Sequence, residues 1–207
     1  MSAGKILLVI VGAFVALAII LGLWTAATYN HLVSLEQDMN SKWAQVQNVY
    51  QRRADLVPNL VATVSGAANF EKSTLTAVTD ARASVGRVQL PSASAPTDAS
   101  QLAAFDRAQG QLGAALSRLL VVSENYPNLT ATANFRDLQS QLEGTENRIA
   151  VERRNFNDSV QAYNTGIKSF PAVLIAGMFG HTPHPYFSAA PGAETAPKVN
   201  FDFSNKS

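Results

Sequence analysis

Three glutamates in the last third of the sequence have a spacing that a metal-binding helical bundle could use: Glu143, Glu146 and Glu152. A carboxylate metal site in such a bundle combines inward-facing glutamates with Glu-x-x-His pairs on neighbouring helices. The segments with helical spacing hold one histidine, His31, which follows closely on a long apolar run. We therefore expect no metal site, and we interpret these carboxylates as a solvated face or as ion-pair partners of Arg148 and Arg153.

Two further histidines, His181 and His184, lie in a proline-rich stretch near the C-terminus. A histidine that binds a metal is normally oriented by a hydrogen bond to its other ring nitrogen. We expect a proline-rich tail to lack such a partner, so we interpret this stretch as an exposed linker rather than a metal site. The absence of cysteine excludes disulfides, thiolate zinc sites, iron–sulfur clusters and cysteine nucleophiles. The sequence also lacks a Gly-x-Ser-x-Gly motif and a glycine-rich phosphate loop. We expect no enzymatic activity and no cofactor.

Polar residues crowd two regions where helical spacing would place core positions. They are Arg52, Arg53, Asp55 and Asn59 in the first region, and Glu146, Glu152, Arg153, Asn155 and Asn164 in the second. Buried charges need partners and complete hydrogen bonding. We favour an interhelical network that holds the helices in register. The alternative is a surface that binds a partner protein.

An uncharged apolar run precedes these regions and extends from Ile6 to Ala27. Its 22 residues would form a helix of about 33 Å, enough to cross a hydrocarbon core of roughly 30 Å. A cleaved signal peptide is the alternative, but its apolar core is normally about 7–15 residues long. We therefore predict a retained transmembrane anchor. Its small residues, among them Gly12, Ala16 and Gly22, would allow anchor helices to pack closely, although such residues are common in membrane helices.

Lys5 is the only charged side chain on the N-terminal flank of this run. The positive-inside rule therefore predicts a cytoplasmic N-terminus and places the remaining chain outside the cytoplasm. For a bacterium, this means a single-pass protein of the inner membrane with a periplasmic domain.

The segments after the anchor have apolar residues at steps of three and four, which predicts long amphipathic helices. No glycine or proline interrupts the chain between Trp24 and Pro58, so the anchor helix should continue into the first helix of the domain. We expect a break or a first helical turn at Pro58. The other helices should cover residues 57–85, 102–119 and 135–167, with Thr97 or Asp98 capping the helix that begins near residue 102.

These elements predict an all-α fold, with an N-terminal transmembrane helix, an antiparallel four-helix-type bundle and an extended C-terminal tail. The corresponding domains are 1–28, 29–170 and 171–207. The tail begins with a short apolar segment, residues 171–180, and continues as a Pro/Gly-rich stretch whose aromatic residues suggest that it docks on another surface. The formal net charge is +1, and residues 30–170 contain 13 basic and 13 acidic side chains, so we expect no nucleic-acid partner.

Nearly the whole chain resembles the bacterial LemA family. The stretches that carry the resemblance are QRRADLVPNL, LEGTENRIAVERRNFND and YNTGIKSFP. The resemblance implies one N-terminal membrane span, an all-α domain of long antiparallel helices, and no established enzymatic activity or catalytic residues. Genes of the family often lie near those of membrane zinc proteases and TPM-domain proteins.

We therefore expect a membrane-anchored scaffold or interaction module of the cell envelope, with the lipid bilayer and further copies of the chain as its partners. The alternative is an accessory factor or adaptor for a membrane-bound protease in envelope quality control, with a membrane protease or a TPM-domain protein as its partner.

Overall fold

The computed structural model describes residues 3–67, 70–88, 90 and 94–188. These residues form helices and no strand, which confirms the all-α fold class. The helices are α1 (Ala3–Ser65), α2 (Lys72–Arg87), α3 (Ala99–Ser123), α4 (Pro127–Thr130), α5 (Ala133–Lys168) and α6 (Ala172–Met178). The α3 N-cap is Asp98, as predicted, and its Oδ1 accepts a hydrogen bond from the Ser100 backbone N–H at 2.7 Å.

The longest element, α1, joins the apolar run to the rest of the fold without interruption. It has 63 residues and is therefore about 95 Å long. The large apolar side chains between Ile6 and Leu23 are exposed, whereas Leu32, Met39 and Trp43 further along the same helix are fully buried. The N-terminal part of α1 is long and apolar enough to cross a membrane.

The predicted break at Pro58 is wrong, because α1 continues through this residue to Ser65. A proline inside a helix has no N–H for the carbonyl four residues earlier, which here is Ala54. Arg82 of α2 supplies the missing donor, since its Nε donates to the Ala54 oxygen at 3.0 Å. The first part of the predicted second helix therefore belongs to α1, and α2 begins at Lys72 after the turn near Gly66.

The long helices alternate in direction. From the apolar run at its N-terminal end, α1 extends to the far end of the bundle, and α2 returns beside α1. α3 then runs parallel to α1 and α5 runs antiparallel to it, so the predicted antiparallel arrangement is confirmed. The contacts that establish these directions are Leu35 with the Gly166 backbone, Arg53 with both Gln109 and Glu146, and Arg82 with Ala54.

Two apolar clusters fill the bundle, one behind the other along its axis. The proximal cluster, nearer to the apolar run of α1, centres on Trp43, Phe156 and Tyr163, and the distal cluster on Leu60, Leu112 and Phe135. Most residues of both clusters lie at helical spacing on α1, α3 and α5. Val78 of α2 and Leu129 of α4 join the distal cluster, and Ala176 of α6 joins the other.

The chain after α6 crosses back over the bundle. Residues 181–188 form neither helix nor strand, and Phe187 is buried in the proximal cluster with its ring centroid 6.2 Å from that of Trp43. This part of the predicted tail therefore docks on the chain's own bundle. Residues 189–207, which include Phe201 and Phe203, lie outside the described residues.

Candidate functional site: a polar cleft and a docked segment

A buried arginine lies where the two apolar clusters meet. Arg53 of α1 is only 4% exposed. Its Nη1 donates to Glu146 Oε2 on α5 at 2.9 Å, and its Nη2 donates to the Gln109 backbone oxygen and Oε1 on α3 at 2.9 and 2.6 Å. One guanidinium thus links three helices. Glu146 keeps most of its side chain in solvent, so the charge pair is only partly removed from water.

A second arginine, Arg153 of α5, lies on the side of Arg53 that is nearer to the apolar run of α1. It donates to Asp106 Oδ1 at 2.7 Å and to Oδ2 at 3.3 Å, which is the bidentate geometry that makes such pairs specific. It also donates to the Tyr50 hydroxyl at 3.4 Å and to the Ser188 carbonyl at 3.2 Å, and it stacks over the Phe187 ring. Arg153 therefore joins α1, α3 and α5 to the docked segment.

The two arginines and their partners line an open cleft of about 390 Å³ between α3 and α5. The wall on α3 includes Gly110 and Gly113, and a Cβ at Gly110 would meet open space. Burial raises the pKa of the Tyr50 hydroxyl against the opposing influence of Arg153, so this phenol stays protonated. Burial tends to lower the pKa of Arg153, but Tyr50 and Asp106 outweigh it and the pKa is raised. The cleft therefore presents a fixed array of paired charges and donors.

The structure separates the polar residues singled out in the sequence. Arg53, Glu146 and Arg153 line the cleft together. Glu152 and Asn155 bond to each other within α5, with Asn155 Nδ2 donating to Glu152 Oε2 at 3.0 Å.

The remaining α1 residues of that group, Arg52, Asp55 and Asn59, are exposed. Asp55 accepts a hydrogen bond from Gln51 Nε2, one turn earlier on the same helix, at 2.7 Å. Residues adjacent in sequence thus lie on different faces of α1.

Asn164 has a different position and forms one of two matching contacts with the segment 181–188. Its Nδ2 donates to the His184 carbonyl and its Oδ1 accepts from the His184 N–H, both at 2.9 Å. Asn157 does the same with Phe187, at 3.0 and 2.9 Å. The two amides, two helical turns apart on one face of α5, thus substitute for a neighbouring strand. Asn157 is not among the polar residues singled out in the sequence; its spacing of seven residues from Asn164 is the pattern that could have indicated it.

The prediction that His181 and His184 lie in an exposed linker is wrong. His184 is only 8% exposed, and its Nδ1 lies 3.0 Å from the Pro96 carbonyl. His181 Nδ1 lies 3.0 Å from the Tyr163 hydroxyl and 3.6 Å from Glu36 Oε2. Burial, with a contribution from Glu36, raises the pKa of Tyr163. A proline-rich composition indicates an extended backbone but does not show whether that backbone is exposed. Here the segment is buried because side chains and carbonyls of the bundle form hydrogen bonds with it.

Comparison with known proteins agrees with this architecture. A family model described as the LemA family matches residues 42–201, a range that includes the cleft and the docked segment. Magnetosome protein MamQ of Magnetospirillum gryphiswaldense is 27% identical over 183 residues, which cover 81% of this chain and 67% of the relative. Magnetosome proteins MamQ 1 and MamQ 2 of Paramagnetospirillum magneticum match to the same extent. Together with the apolar part of α1, these matches support a membrane-associated helical protein. The chain belongs to the LemA family.

Proposed function

We propose that this protein is a scaffold or interaction module of the bacterial cell envelope, anchored by α1 and assembled from several copies. In this proposal, the N-terminus lies in the cytoplasm, α1 crosses the inner membrane, and the bundle stands in the periplasm.

The continuity of α1 is the observation that carries the proposal. The helix that presents an exposed apolar surface at one end supplies Trp43, Arg53 and Leu60 to the interior of the bundle at the other. The anchor and the bundle therefore have no flexible joint between them, and any partner bound to the bundle is held at a set height above the bilayer. Such a rigid support suits the ordered positioning of proteins. The relatives in the comparison are named as magnetosome proteins.

The proposed topology can be tested because the natural chain contains no cysteine, so that each introduced thiol is unique. Gly4→Cys places a thiol before the apolar run, and Glu124→Cys places one at the exposed far end of the bundle. A membrane-impermeant maleimide added to intact spheroplasts should label the Glu124→Cys variant and leave the Gly4→Cys variant unlabelled until the cells are lysed. The reverse pattern would show that the bundle is cytoplasmic.

Self-assembly is tested by mass measurement of the full chain in mild detergent and by oxidative crosslinking in native membranes. Gly12→Cys and Phe14→Cys form a matched pair, because the two positions have similar depth on opposite faces of the anchor. We expect a discrete oligomer, with crosslinking stronger at one position than at the other. A monomer that resists crosslinking at both positions contradicts the proposal. A stable, stoichiometric protease that co-purifies with the monomer would favour the adaptor function instead.

We propose that the Arg53 contacts hold α1, α3 and α5 in register. Arg53→Met keeps the aliphatic stem but leaves the buried Gln109 side-chain oxygen without its donor, which should cost about 1–3 kcal/mol of unfolding free energy. The adjacent, exposed Arg52→Met is the control and should change stability by less than about 0.5 kcal/mol. If Arg53→Met melts like the natural chain and loses assembly, the cleft is a partner surface.

A further inference from the structure

The corner between α5 and α6 lies beside the point where α1 leaves its apolar stretch. The ring of Phe179, just after α6, is 4.7 Å from that of Tyr29, which is two residues beyond Ala27. Two residues correspond to about 3 Å along a helix. If Ile6–Ala27 fills the hydrocarbon core, Phe179 therefore lies at the boundary between hydrocarbon and headgroups.

Within residues 170–179, this corner exposes a group of large apolar side chains, which we call the α6 patch: Phe170, Val173, Leu174, Met178 and Phe179. Phe170 is 83% exposed and Met178 is 79% exposed. The opposite face of α6 packs against the bundle through Ile175 and Ala176, which are both buried. α6 is thus apolar on both faces, and its exposed half lacks the polar side chains expected of a helix that faces water.

The charges next to the α6 patch along the chain also fit a lipid surface, although the fold brings Glu36 of α1 into one recess with Phe179, where it faces His181. Residues 169–188 contain no aspartate or glutamate, and the nearest charged residue along the chain is the exposed Lys168 in the last turn of α5. An acid-free apolar segment beside a lysine is compatible with the anionic headgroups of a bacterial membrane.

α6 is held firmly in place from both sides. It follows directly on α5, packs on both α1 and α5, and leads into the segment that Asn164 and Asn157 hold against the bundle. His181, three residues after α6, is fixed by Tyr163 and Glu36. The α6 patch is therefore presented in a set orientation, so little conformational freedom is lost when it binds a surface.

We propose that the α6 patch inserts into the interface of the same bilayer that α1 crosses, with lipid acyl chains and headgroups as its ligand. The bundle then has two points of membrane attachment, a span and an adjoining interfacial helix. Two points fix the rotation of the bundle about α1 as well as its height. The inference rests on the proposed membrane span of α1, and the test below distinguishes the two.

The test uses full-length single-cysteine variants carrying a nitroxide spin label, reconstituted in vesicles of phosphatidylcholine with a minority of phosphatidylglycerol. Met178→Cys reports on the α6 patch and Leu174→Cys repeats the measurement one turn earlier. Ile20→Cys reports on the anchor, and Val121→Cys is the matched control because it is 63% exposed and lies at the membrane-distal end of α3. The accessibility of each label is compared between molecular oxygen, which concentrates in lipid, and a water-soluble nickel chelate.

We expect the oxygen-to-nickel accessibility ratio at Met178→Cys and Leu174→Cys to exceed that at Val121→Cys severalfold and to approach that at Ile20→Cys. A ratio equal to that at Val121→Cys, with a lipid value at Ile20→Cys, would overturn the interfacial helix and leave the span intact. Protection from both reagents would assign the patch to a protein contact and also overturn it. A water value at Ile20→Cys would overturn the span and the interfacial helix together.

Discussion

The two asparagine contacts on α5 should determine whether segment 181–188 stays docked. Each amide forms two hydrogen bonds with the backbone of the segment, at distances of 2.9 or 3.0 Å. A typical intramolecular hydrogen bond contributes about 0.5–1.5 kcal/mol net, so replacing either asparagine by alanine should weaken docking by about 1–3 kcal/mol. The prolines on both sides of His184 have no N–H of their own, which makes the His184 N–H the sole backbone donor of residues 183–185.

Hydrogen exchange of the detergent-solubilised full chain measures this effect directly. In Asn164→Ala, the His184 amide should exchange about 5- to 150-fold faster, which is the rate equivalent of the lost 1–3 kcal/mol. In Asn157→Ala, the Phe187 amide should respond in the same way. The double variant should exceed either single variant, because both contacts hold one segment.

Asn155→Ala is the matched control, since this asparagine lies on the same helix and bonds to Glu152 rather than to the segment. Its exchange rates in 181–188 should equal those of the natural chain. If the His184 and Phe187 amides exchange at unchanged rates in the Asn164 and Asn157 variants, or equally fast in all three, the asparagines do not hold the segment and the reasoning fails.

Three further predictions concern the bundle itself. Gly144→Ala, whose Cβ meets open space, should stabilise α5 by about 0.5–1 kcal/mol, which a rise in melting temperature would show. Gly166→Ala should stabilise the chain less than Gly144→Ala or destabilise it, because its Cβ would lie 2.8 Å from Leu35 Cδ1 and 3.4 Å from Leu32 Cδ2, so these side chains must move. The hydrogen bonds from Ser100 lower the pKa of the Asp98 carboxyl, so the ionised cap stabilises α3 fully at pH values above the ordinary pKa of 3.8. In unfolding measured against pH, this stabilisation should disappear as the pH falls through the lowered pKa, and Asp98→Asn should show no such loss. Burial raises the pKa of the Tyr50 phenol, so with rising pH this group ionises in the unfolded chain before it ionises in the folded one, and the free energy of unfolding should fall as pH rises above 10.0. In chemical denaturation, Tyr50→Phe should remove this contribution to the loss of stability at alkaline pH.

Much of the architecture was predictable because it depends on local patterns. The uncharged length of Ile6–Ala27, the three-and-four spacing of apolar residues and the capping position at Thr97 or Asp98 each depend on neighbouring residues. They correctly predicted the all-α fold, the start of α3 and the break before α5. Pro58 was the exception, since the local rule for proline predicted a break that a distant donor prevents.

The candidate site was predictable in composition and not in arrangement. The sequence marked Arg53, Glu146 and Arg153 as polar residues at core spacing, but Gln109 and Asp106, their partners on α3, were not singled out. Pairing across helices depends on the direction and rotation of each helix. A one-dimensional pattern specifies which face of a helix is apolar and does not specify which residue of another helix lies opposite.

The amino-acid order alone therefore determined the apolar run, the number of long helices and the positions that fill the core. The reason is that the periodicity of apolar residues along one helix decides which of its faces is buried. Only the tertiary structure decided that the histidine-containing segment is buried, that two asparagines bind its backbone, and that the α6 patch lies beside the end of the apolar run. Each of these features joins residues far apart in the chain, and their hydrogen bonds and contacts exist only when packing brings the groups within a few ångströms of one another.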